Sequence, residues 1–189
     1  MKLFRTLVAI VFSVALAPAA RADTYKLDPA HTSVGFSISH LVISEVEGRF
    51  NDVAGEVTIE DGKLTSAKAT IQAKSIDTKI EKRDNHLRSA DFFDVEKYPT
   101  ITFESTKVEK EGDKTIITGK FTMHGVTKAI RFPFLMKGPI NDPWGNARIG
   151  LVAETSLNRT DYGMKPSTGV GDEVKIKLGA EATKPLEKK

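Results

Sequence analysis

From His31 to Ala180 the chain alternates apolar and polar residues, the period-two signature of strands that bury one face. Val34, Phe36, Ile38 and His40 share one face, and Val53, Gly55, Val57 and Ile59 the next. Ala67, Ala69, Ile71 and Ala73 return after Asp61 and Gly62, a pair suited to a tight hairpin. Ile101, Phe103 and Ser105 follow, then Ile117, Gly119, Phe121 and Met123, then Ile130, Phe132, Phe134 and Met136. Ile149, Leu151, Ala153, Thr155 and Leu157 come next, and Val174, Ile176, Leu178 and Ala180 last. The pattern predicts about eight strands, most joined by short turns and therefore antiparallel, a number that closes into a barrel wide enough for its own side chains or one small ligand. Small inner-face residues (Gly35, Gly55, Ala67, Ala69, Ala73, Gly119) suggest spare volume inside. Residues 41–47 break the alternation and read as a short turn of helix, Pro133 marks a bulge or an edge, and residues 158–171 read as a long polar loop.

The longest break is at residues 78–105. Thr78 and Glu81 have the spacing of a capping box, Asp84 and Arg88 are placed to pair, and Ile80 and Leu87 form a narrow apolar stripe. A polar helix of about three turns is expected there, ending near Ser89 and docked on the sheet because it is too short to stand alone. Phe92 and Phe93 follow, and Tyr98 with Pro99 opens the next strand. One long connection in a hairpin-linked barrel is suited to covering one of its ends. Its charged helix is either a solvated face or a pocket mouth at which Arg83, His86 and Arg88 meet a ligand's polar head.

Composition narrows the picture. The 189 residues, 40% of them hydrophobic, suffice for one domain with a real core. Lys2 and Arg5, an apolar run over residues 6–17, and the small residues Ala20 and Ala22 read as a secretory leader over residues 1–22, cleaved before Asp23. The run is shorter than the roughly 20 residues of a spanning helix. The remaining domain, 23–189, is then expected in the periplasm. Setting aside Lys2, Arg5 and Arg21 leaves 25 of the chain's 28 basic residues against 25 acidic ones. Such a balance gives no electrostatic case for nucleic acid or for an anionic membrane surface. The absence of cysteine excludes disulfides, thiol nucleophiles and thiolate metal sites.

Catalytic patterns are missing: no nucleophile elbow, no phosphate-cradling glycine loop, no HExxH. His31, His40, His86 and His124 are scattered without ligand spacing, so no metal, catalytic residue or cofactor is assigned.

Four segments in order resemble the YceI family of bacterial polyisoprenoid-binding, lipocalin-like proteins. They are residues 28–36 (DPAHTSVGF), 83–94 (RDNHLRSADFFD) with 98–103 (YPTITF), 119–128 (GKFTMHGVTK), and 159–164 (RTDYGM) leading to 171–174 (GDEV). The resemblance covers residues 24–182. It implies an all-β, eight-stranded antiparallel lipocalin-like barrel, with one short helix in the mid-chain connection, around a long apolar tunnel for an isoprenoid chain, such as a quinone tail or polyprenyl phosphate, or another long amphipathic lipid. The expected lining is Phe36, Ile38, Val57, Ile71, Phe92, Phe93, Ile101, Phe103, Phe121, Met123, Phe132 and Phe134, with Arg83, His86 and Arg88 at the mouth. The expected partners are that lipid and, transiently, a membrane or a membrane redox protein; a homodimer is open. Two other readings stand beside the carrier: an enzyme acting on such a lipid with His86 or His124 as acid–base, and a filled barrel acting through its surface.

Overall fold

The computed structural model describes residues 22–187. The leader expected over residues 1–22 lies outside them, except for Ala22. The described elements are β1 (Ala22–Leu27), β2 (Ser33–His40), β3 (Ser44–Phe50), β4 (Val53–Glu60), β5 (Lys63–Gln72), β6 (Ile76–Asp77), α1 (Glu81–Arg88), β7 (Thr100–Glu111), β8 (Lys114–Met123), β9 (Val126–Asn141), β10 (Asn146–Asn158) and β11 (Val170–Pro185).

Three consecutive pairs behave as single bent strands. β1 and β2 both pair with β11; β4 pairs with β1 while β3 pairs with β2; β5 pairs with β4 while β6 pairs with β3. Counted this way, eight antiparallel strands follow one another round the ring, and β11 closes it against the first. The bends have local causes. Asp28 accepts from the Ala30 amide at 3.1 Å and Pro29 starts a single 3-10 turn, which offsets β2 from β1. Ser75 ends a similar turn, donating to the Gln72 carbonyl at 2.7 Å and accepting from the Asp52 amide at 3.0 Å.

Two apolar clusters divide the interior. The lower half is filled by Tyr25, Val57, Ile59, Ile117, Phe134, Ile149, Leu151 and their neighbours. The upper cluster, with Val34, Phe50, Ile101, Phe121, Met123 and Tyr162, lies beneath α1. Leu27, Phe103 and Leu178 touch both and form the floor between them.

Several local expectations are corrected. Residues 22–27 and 44–50 are strands, and between β2 and β3 only the turn 41–43 interrupts the ladder. α1 lacks the capping box: Ile80 is the N-cap, without a side-chain hydrogen bond. The Thr78 amide and hydroxyl both donate to Oδ1 of the buried Asp84, so that carboxylate is taken up by Thr78 and does not pair with Arg88. Of the three glycines expected to leave spare volume, Gly55 and Gly119 do not hollow the barrel, while a Cβ on Gly35 would meet only carbonyl oxygens at 3.7 and 3.8 Å. A Cβ on Gly119 would lie 2.5 Å from the Phe103 ring, and one on Gly55 would lie 2.4 Å from the Lys68 carbonyl oxygen. Their space is used for close packing.

Pro133 sits where two strands part. β9 pairs with β10 only as far as Phe134 and Ala153, so the amide that proline lacks is not needed on that side. Above that point the 159–164 segment fills the gap. Buried Tyr162 meets Phe121 edge-on at 5.5 Å, and Met164 packs in the same cluster. Burial pushes the Tyr162 phenol above its ordinary range.

Candidate functional site: an apolar cavity under the helix

A cavity of about 340 Å³ occupies the upper half, between the barrel wall, α1 and residues 164–170. That volume is at the lower end of the roughly 300–1,000 Å³ of pockets that bury small molecules. Its wall is apolar because the alternating strand faces turn inward here. β2 and β3 supply Phe36, Ile38, Val46 and Phe50, β5 Ile71, β7 Ile101, β8 Phe121 and Met123, and β11 Val174 and Ile176. The helical connection closes it with Leu87, Phe92 and Phe93. Phe93 meets Phe50 edge-on at 5.7 Å and so anchors the connection to β3.

Of the twelve apolar residues expected at the lining, eight border the cavity: Phe36, Ile38, Ile71, Phe92, Phe93, Ile101, Phe121 and Met123. Val57, Phe132 and Phe134 pack below the floor, and Phe103 is part of it. The structure therefore replaces the long tunnel with a short cavity. Alternation alone says which residues point inward, but the depth at which packing stops depends on cross-strand neighbours. Phe103 lies 5.5 Å from Phe132 and fills the notch left by Gly119.

The polar rim differs from the expected one. Arg83 and His86 border the cavity; Arg88 does not. Arg88 instead ties α1 to the barrel, donating to the carbonyls of Lys74 and Ile76 at 2.8 Å each. Arg83 donates through Nε to Thr78 Oγ1 at 2.7 Å and through Nη2 to the Thr78 carbonyl at 2.8 Å. No carboxylate among the described residues comes within ion-pair distance of it, so a guanidinium without a counter-ion faces an apolar cavity. His86 Nε2 lies 3.2 Å from Asp91 Oδ2, and its ring meets Phe92 edge-on at 5.0 Å. His40 and His86 are the exposed members of the lining, and the cavity reaches solvent beside them.

Arg159 is a lining residue that the sequence does not mark, because its segment reads as polar loop. It is buried, borders the cavity, and donates to the carbonyls of Gly171 at 2.9 Å and Lys165 at 2.6 Å. Its Nη2 lies 2.9 Å from Asp172 Oδ1. The usable signal was a lone arginine directly after a strand, where its fork can satisfy the carbonyls of a returning loop.

Two other histidines have structural partners. His124 Nδ1 contacts the Tyr162 carbonyl at 3.1 Å and the ring packs on Tyr98 at 4.6 Å, away from the cavity. His31 lies with Asp28 and Glu181, their ligand atoms within 4.8 Å of one another. A cation already holds that cluster: Arg148 Nη1 donates to Asp28 at 2.9 Å and to Glu181 at 2.6 Å. Arg148, helped by His31, holds the Asp28 carboxyl down to about 2.

Fold and cavity together define an eight-stranded antiparallel β-barrel with an apolar chamber at one end and, at its rim, an arginine that pairs with no carboxylate among the described residues. The chain belongs to the YceI family: the YceI-like domain matches residues 25–182. A UPF0312 protein of Pseudomonas paraeruginosa is 41% identical over 184 residues, covering 94% of this chain and 96% of the relative. The YceI protein of Campylobacter jejuni has the same fold, at 33% identity and a TM-score of 0.69 over 86% of this chain and 97% of that one. A domain from Saccharophagus degradans, described as polyisoprenoid-binding and implicated in plant cell wall breakdown, superposes with a TM-score of 0.68 at 17% identity, over 85% of this chain and 98% of that domain.

Proposed function

We propose that this protein is a periplasmic carrier that holds an isoprenoid or similar long-chain amphipathic lipid without altering it. The chain lies in the upper cavity and the head group at the rim, against Arg83 and His86. The observation that carries this reading is the cavity itself: apolar walls built from alternate strand positions, with one uncompensated guanidinium at the edge. Family membership and the polyisoprenoid-binding description of a structural neighbour support it.

The energetics suit such a ligand. Each buried methylene contributes about 0.8 kcal/mol, so one five-carbon unit contributes roughly 4 kcal/mol before ordering costs. Two or three such units suffice for tight binding without a strong polar contact. The head group then needs only oxygen atoms that can accept from Arg83, as a phosphate or a quinone carbonyl does.

An enzyme acting on the same lipid is the second reading, and the His86–Asp91 contact is its specific support. Both side chains are open to water, at 61% and 71% exposure, so Asp91 does not hold the imidazole in one orientation as a buried partner would. The cavity lining supplies neither a nucleophile activated by His86 nor an oxyanion pocket beside it. The carrier reading is therefore preferred.

The test is saturable uptake of a short-chain prenyl quinone, followed by quinone absorbance in the protein fraction after gel filtration. Wild type is expected to bind one molecule per barrel. Ile38→Asp is expected to weaken uptake by about a hundredfold, since a carboxylate beside the chain must be desolvated, while the lower-half core keeps the fold. Equal uptake by both proteins would exclude the cavity as the site.

A further inference from the structure

The turn between β2 and β3 carries Leu41, Val42 and Ile43, exposed by 56%, 95% and 85%. Leu41 and Val42 have left-handed backbone conformations, with φ of 51° and 63°. A β-branched residue there is a steric outlier, and asparagine or glycine would make such a turn without that cost. Large apolar side chains thus occupy positions where the fold favours small polar ones, and Val42 and Ile43 bury almost nothing in return.

We propose that Leu41, Val42 and Ile43 insert into a lipid bilayer and seat the cavity rim on the membrane surface. Three observations select a bilayer as the occupant. The first is position. The Leu41 amide donates to the Gly169 carbonyl at 2.7 Å, and His40, Ser167 and Val170 on either side border the cavity. The second is charge. Residues 36–44 and 165–170, which meet at the tip, contain no carboxylate and include Lys165; of the carboxylates around them, Asp172 lies 2.9 Å from Arg159 and Asp91 lies beside His86. The neighbouring Glu45 is neutralised by Lys175 at 2.5 Å. Such a tip offers no local repulsion to anionic head groups, so apolar insertion is not opposed there. The third is size. A stable protein interface buries about 800 Å² on each partner, over some 20–30 residues. Three side chains on a convex tip fall far short of that, whereas a bilayer needs no complementary shape.

The exposed residues at the other end of the barrel differ. Ile140 and Trp144 are exposed there by 62% and 76%, but they stand apart from the cavity, and the Trp144 ring has the Arg148 guanidinium carbon 5.8 Å from its centroid.

Docking stands on the tip alone; its use for passing a lipid between bilayer and cavity rests on the carrier reading above. The experiment is co-flotation of the purified protein with vesicles of phosphatidylcholine and phosphatidylglycerol. Wild type is expected to float. The double variant Leu41→Asn, Val42→Gly is expected to partition at least about tenfold more weakly, with a Tm equal to or above that of wild type because the turn is relieved. Ile43→Ser, which leaves the turn residues in place, is expected to weaken flotation in the same direction. The pair Ile140→Ser, Trp144→Ser is expected to float like wild type. Wild type remaining in the dense fraction would overturn the proposal and leave a protein as the partner of the tip. Undiminished flotation of the tip variants, or loss of flotation in the Ile140/Trp144 variant, would overturn it as well. Prenyl-quinone uptake in vesicle-free solution reads the cavity separately: lost flotation with intact uptake belongs to the tip, and flotation without uptake refutes only the carrier reading.

Discussion

Arg148 shows how one side chain can decide what a cluster of acids does. Asp28, His31 and Glu181 have the atoms of a cation site, yet the guanidinium already sits between the two carboxylates and also reaches Asp142 at 3.2 Å. It joins the bend between β1 and β2 to β10 and β11, at the seam where the ring closes. The charge arrangement has a pH consequence. Asp28 has a folded pKa of about 2 against an ordinary value of 3.8. Its contribution to stability is thus complete above about pH 4 and is lost as pH falls through about 2. Urea unfolding of wild type and Asp28→Asn should differ most above about pH 4 and converge toward pH 2. A difference that stays constant across that window would show that the pair does not couple to folding. Arg159 works in the same way at the upper end, satisfying two carbonyls of a loop that then lines the cavity.

At the scale of elements, strands were far more legible than their interruptions. Alternation marks β4, β5 and β7–β11 because one face of each is buried along most of its length. β1 escaped because it is short and lies next to the leader, and only its pairing with β4 and β11 makes it a strand. β3 does not read as a strand because Glu45, Glu47 and Arg49 dominate its composition, while Val46 and Gly48 hold the inner face, with Gly48 there to make room for the Phe36 ring. The helix ends where its sequence predicts, beside Ser89, but it spans only the eight residues Glu81–Arg88, starts later than a Thr78 cap would place it, and has Ile80 as its N-cap. A threonine three residues before a glutamate fits a capping box, yet Thr78 is drawn by a buried carboxylate one turn further on. Sequence spacing shows which bonds are reachable, not which of two acceptors is desolvated and therefore in need of a donor. The same limit explains Arg88, whose partners are carbonyls of a strand end distant in sequence.

For the whole molecule, the informative feature is the division between a packed and a hollow half. All twelve expected lining residues point inward or onto the cavity, but the sequence does not mark the height at which side chains stop meeting across the barrel. That height is set by Leu27, Phe103 and Leu178 together. Phe103→Ala is accordingly expected to cost about 3 kcal/mol of stability and to deepen the cavity. The deepened barrel should shift preference toward prenyl chains about one unit longer, read by competition between quinones of graded tail length. An unchanged preference would show that the floor lies elsewhere.

The central claim is that the upper cavity holds an isoprenoid chain. Organic extraction of the purified protein, followed by mass spectrometry of the extract, tests it most directly. The carrier reading predicts a prenyl lipid at close to one molecule per barrel, lost in Ile38→Asp. An extract without prenyl lipid, from protein that also takes up no prenyl quinone, would contradict it.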